Sequence, residues 1–138
     1  MGVDILNIIV CVDKDNGMLF NNRRLSKDKI LCEKILEITS SSKLLMNEYT
    51  KSLFENSEKI IVDNNFLQNA NLGDFCFIEN IDINEYDQIE QVYIFNWNRK
   101  YPADRFFNLN LSNFKKIKTE NFAGNSHEKI TLEIYTRS

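Results

Sequence analysis

The side chains able to do chemistry in this sequence are few and far apart. Its one histidine, His127, follows Ser126 in a predicted turn, and a Ser/His nucleophile there lacks an acidic orienter at any recognisable spacing. Cys11, Cys32 and Cys76 show no C-x-x-C spacing and sit among apolar neighbours, as in Phe75-Cys76-Phe77. They read as reduced core residues, and no metal site is expected. Gly2, Gly17, Gly73 and Gly124 are too dispersed to build a P-loop or a G-x-G-x-x-G turn. Asn96, Asn98 and Arg99 follow a predicted strand at the sheet edge where open α/β folds bind ligands. They read either as the lining of a pocket or as a polar loop that caps the sheet. Aromatic residues such as Tyr49, Trp97 and Phe107 fall at strand and helix positions, where core packing is their usual role.

The elements that must position these residues follow from apolar periodicity. Residues 5–12 form a nearly unbroken apolar, β-branched run ended by Asp13-Lys14-Asp15-Asn16-Gly17, as expected of a strand buried on both faces. Ser26 is the expected cap of a helix to about residue 39, with Ile30, Leu31, Ile35 and Ile38 at helical spacing. Short strands are predicted at 43–46, 59–62, 74–79 and 91–95, and Asn47 is placed to cap a short helix reaching residue 54. Residues 113–120 and 128–136 alternate enough to predict an antiparallel hairpin. Strand–helix alternation followed by a hairpin predicts one α/β domain over residues 1–138: a mixed β-sheet flanked by helices with a C-terminal antiparallel hairpin.

The chain of 138 residues carries a net charge of −3, which gives no general attraction to nucleic acid despite the local runs Arg23-Arg24-Leu25-Ser26-Lys27 and Lys115-Lys116-Ile117-Lys118. No apolar run approaches a membrane span, and Met1-Gly2-Val3-Asp4 lacks the features of a signal peptide. A cytoplasmic protein is expected, with no membrane or nucleic-acid partner.

Several segments, in order, resemble dihydrofolate reductase. Residues 7–18, with Asp13 and Gly17, are similar to that family's first strand and active-site loop. Lys43-Leu-Leu-Met46 and the following helix with Thr50 resemble its second strand and M-G-R-x-T turn. Residues 59–62 resemble its third strand, 92–95 the strand ending in its glycine pair, and Ala103-Asp-Arg-Phe-Phe107 its G-D-T-x-F-P segment.

The resemblance implies a dihydrofolate reductase-like fold, an acid on the first helix that holds the pterin, and NADPH as cofactor. It points to Asp28 as that acid, to Val10, Cys11, Leu31 and Cys32 at the substrate, and to Thr50, Asn96 and Trp97 at the cofactor. Counting back from the helix end puts the family's acid at Leu31, so Asp28 lies almost one turn early; its other reading is a water-facing first-turn residue. Glu48 stands where the family has an arginine against phosphate, and Trp97 where it has glycine. A helix and a strand expected after the glycine pair also have no counterpart before Ala103. These departures imply a protein that has lost NADPH-dependent reduction and acts in binding or regulation, with no cofactor. Its expected partners are a small molecule or another protein, and a homodimer would cover the exposed sheet edge. The alternative is a divergent NADPH-dependent dihydrofolate reductase.

Overall fold

The computed structural model describes residues 6–54, 59–81, 83 and 88–138. Met1 to Ile5, including the start of the first predicted strand, lie outside them. Strand β1 (Leu6–Val12) is apolar on both sides because it lies inside the sheet with a core on each face. Leu6, Ile8, Val10 and Val12 pack with Phe66 and Phe107 on one face, and Ile9 packs with Leu31, Ile35 and Phe95 on the other. Chain order continues through β2 (Gly17–Phe20), β3 (Arg23–Arg24), α1 (Lys29–Ile38), β4 (Leu44–Met46), α2 (Glu48–Lys51) and β5 (Ile60–Val62). It ends with α3 (Phe66–Asn69), β6 (Phe75–Phe77), β7 (Ile89–Asn96), β8 (Arg105–Phe106), β9 (Phe114–Phe122) and β10 (Ile130–Arg137).

The main sheet has seven strands in the order β5-β4-β6-β1-β7-β10-β9. Its pairings from β5 through β7 are parallel, and β10 runs antiparallel to both β7 and β9. The predicted mixed α/β sheet with a C-terminal antiparallel hairpin is therefore observed. Sequence patterning did not indicate the small antiparallel sheet β3-β2-β8, whose strands are short.

Three expectations need correction. Asp28 and not Ser26 caps α1, accepting from the Ile30 and Leu31 amides, because Ser26 is turned toward His127. Asp28 is 4% exposed and is not a water-facing residue. The third concerns topology: β6, not β7, is followed by a further strand and then by residues 103–107. On the resemblance, the segment that answers to the glycine pair is then residues 78–80 instead of Asn96-Trp97. Among the described residues between β6 and β7 there is no helix.

Candidate functional site

Helix α1 buries Leu31 and Ile35 against the sheet, and its N-terminus is fixed by the loop between β9 and β10. Asp28 Oδ1 accepts from the amides of Ile30 at 2.9 Å, Leu31 at 3.2 Å and Asn125 at 2.8 Å. Its Oδ2 accepts from the Ser126 amide at 2.8 Å, the Ser126 hydroxyl at 3.2 Å and His127 Nδ1 at 2.9 Å. Burial pushes this carboxyl up, but the Asn125 amide, His127 and the Ser126 and Leu31 amides outweigh it and hold the group far below the usual carboxylate range. Asp28 is thus an ionised anchor with both oxygens fully engaged. Gly124 permits the close approach, since a Cβ there would lie 2.5 Å from Asp28 Oδ2.

His127 is buried, with its ring stacked on Trp97 at a centroid separation of 4.6 Å and an interplanar angle of 26°. Its Nε2 lies 3.1 Å from both the Ser26 and the Tyr101 hydroxyls. The acidic orienter that the sequence around Ser126 and His127 lacks is supplied by Asp28, and a second serine by Ser26, both about one hundred residues away in sequence. Spacing along the chain could not have revealed this.

A second set of contacts closes the space between β3, α2 and the turn after β6. Arg24 forms a two-pronged ion pair with Glu79, Nε to Oε2 and Nη2 to Oε1, each at 3.0 Å. Its guanidinium also donates to the Tyr49 carbonyl at 3.0 Å and lies 4.5 Å over the Tyr49 ring. Asn47 caps α2 through the Thr50 amide and donates to Asn80 Oδ1 at 2.8 Å, tying this helix to the turn after β6. The Glu48 amide donates to Asn64 Oδ1 at 3.3 Å. Thr50 is fully buried, and its Oγ1 has no hydrogen-bond partner among the described residues. What remains between Cys11, Met18, Arg24, Glu79 and Trp97 is a void of about 10 Å³.

On the other side of α1, a groove of about 490 Å³ has an apolar wall of Cys32, Leu36, Leu53 and Phe54, with Lys27, Lys29 and Asn125 at its edge. Of the residues the resemblance points to, Asp28 and Cys32 meet here. Leu31 is in the core beneath the helix, and Cys11 borders the small void. Val10 is fully buried in the opposite core cluster and does not join them. Asn96 lies at the end of β7 and accepts from the Asn98 amide at 2.8 Å, while Trp97 is packed on His127. Burial raises the Cys32 thiol to about 11 and pushes Cys11 well up, so neither is a ready nucleophile. Among the described residues, no group of three or more His, Cys, Asp and Glu could hold a metal ion, and no helix is long and apolar enough to cross a membrane.

No model of a known protein family and no curated protein sequence matches this chain. Among solved structures it is similar to dihydrofolate reductase from Enterococcus faecalis, described as complexed with NADP(H) and RAB-propyl. The two share 12% identity, the match covers 97% of this chain and 96% of that one, and the TM-score is 0.67. The protein has a dihydrofolate reductase-like fold.

Proposed function

We propose that this protein is a dihydrofolate reductase-like binding protein that no longer performs NADPH-dependent reduction and takes a small ligand in the groove beside α1. The observation that carries this reading is the saturation of Asp28: all its acceptor sites are taken by the protein, so it cannot also grip a pterin. The residues on the expected cofactor side also fit a dinucleotide poorly. The Glu48 and Thr50 amides already have side-chain acceptors, Glu48 adds negative charge, and the Arg24–Glu79 pair occupies the space beside the turn after β6. A phosphate there would meet repulsion instead of free N–H groups. Titration calorimetry with NADPH tests the proposal. No saturable heat is expected, and a dissociation constant in the low micromolar range or tighter overturns it.

One observation favours the second reading, a divergent NADPH-dependent reductase. Thr50 is the residue the resemblance sets against phosphate, and its hydroxyl is buried without a partner among the described residues, an unusual state for a polar group. On that reading the protein oxidises NADPH in the presence of dihydrofolate and Asp28→Asn abolishes the reaction. A wild-type protein without such oxidation removes it.

A further inference from the structure

We propose that Ser26, His127 and Asp28 form a nucleophilic triad that cleaves small anionic esters by acyl transfer. Two segments distant in sequence supply the parts: the turn that leads into α1 gives Ser26 and the cap Asp28, and the β9–β10 loop gives His127. Ser26 Oγ lies 3.1 Å from His127 Nε2, and Asp28 Oδ2 lies 2.9 Å from His127 Nδ1. Both fall within hydrogen-bond reach, about 2.6–3.2 Å, for a nucleophile, its base and the base's orienter. With Asp28 Oδ2 taking the Nδ1–H of His127, Nε2 is the ring nitrogen that faces Ser26 to accept its proton. Stacking on Trp97 fixes the ring.

Ser26 is half-buried and borders an open depression of about 560 Å³ whose other walls are Arg23, Arg24, Lys27 and Tyr49. This depression shares only Lys27 with the groove beside α1, so the proposal is independent of what that groove binds. Arg24 is committed to Glu79, whereas Arg23 and Lys27 are exposed at the rim. They select the substrate class: an ester of a short acyl chain that carries a carboxylate.

In the reaction, Ser26 Oγ bonds to the ester carbonyl carbon as its proton passes to His127 Nε2. The ester C–O bond then breaks, and the leaving alcohol takes that proton. Water attacks the acyl-serine, giving a proton to Nε2, and Ser26 Oγ departs with it, releasing the free acid. Tyr101, also 3.1 Å from Nε2, competes with Ser26 for the same lone pair.

The experiment uses the full chain with mono-p-nitrophenyl succinate and, separately, a fluorophosphonate probe located by mass spectrometry. Ser26→Ala is expected to lower hydrolysis by about 100-fold or more, and the phosphonate adduct is expected on Ser26. Tyr101→Phe is expected to raise the rate by freeing Nε2. Lys27→Ala is expected to raise KM for the succinate ester but not for p-nitrophenyl acetate. Wild-type hydrolysis no faster than that of Ser26→Ala overturns the proposal. So does an adduct on any other residue.

Discussion

Two of the spaces near α1 differ sharply. The groove on its outer side holds about 490 Å³, while the void between β3, Trp97 and the turn after β6 retains about 10 Å³. Their walls explain the difference. The groove has an apolar wall of Cys32, Leu36, Leu53 and Phe54, with Lys27, Lys29 and Glu33 around it. The closed side holds an arginine, a glutamate and an indole, each tied to a neighbour by charge or stacking. Long side chains held by an ion pair and by ring stacking close the smaller space, whereas the larger one has an apolar wall.

The largest effect is expected from Trp97→Ala, which removes the indole from the closed side and should destabilise the fold by about 4 kcal/mol. Thermal unfolding with added indole sharpens the contrast: indole should restore part of the loss in the variant and leave the wild type unmoved. If both respond alike, the closed side was never filled by Trp97. Next, Arg24→Ala strands Glu79 without its partner and should cost about 3 kcal/mol in urea unfolding. The double change Arg24→Ala, Glu79→Ala should cost clearly less than the two single losses added together.

Asp28→Asn comes third, at about 2 kcal/mol near neutral pH, because an amide cannot accept on both sides from Asn125, Ser126 and His127. The folded-state carboxyl lies below its unfolded value, so its contribution is fully present above about pH 4 and fades as the pH falls further. Denaturation midpoints of wild type and variant should therefore converge in acid; a constant gap from pH 7 to pH 2 contradicts the assignment. Smallest in stability is Cys32→Phe, which fills the open groove and should change unfolding by less than about 1.5 kcal/mol. It should nevertheless abolish any small-molecule binding that the wild type shows in the groove.

Local pattern revealed the strands well. The doubly apolar run of β1 and the alternation in β10 come from burial that each segment reports by itself, and Asn47 was recognisable as a cap because its partner is three residues away. Asp28 was misjudged because its defining partners, Asn125 to His127, are joined to it only by the folded sheet. The Arg24–Glu79 pair was hidden for the same reason, its members lying 55 positions apart. The strand ending in the glycine pair was set at β7, with β6 given no counterpart, because apolar strands look alike until their neighbours are known; β6 contacts β4 and β1, whereas β7 contacts β1 and β10.

The loop that fixes Asp28 also sets an order of assembly. Helix α1 belongs to the first third of the chain, yet the amides that complete its cap come from residues 125 and 126. Strand β10 is inserted between β7 and β9, both made before it. During synthesis the helix therefore waits, half-capped, until the hairpin emerges, and β9 has no strand to pair with until β10 follows. Such late, distant closure slows folding. Until that closure, unpaired strand edges are open to misassociation.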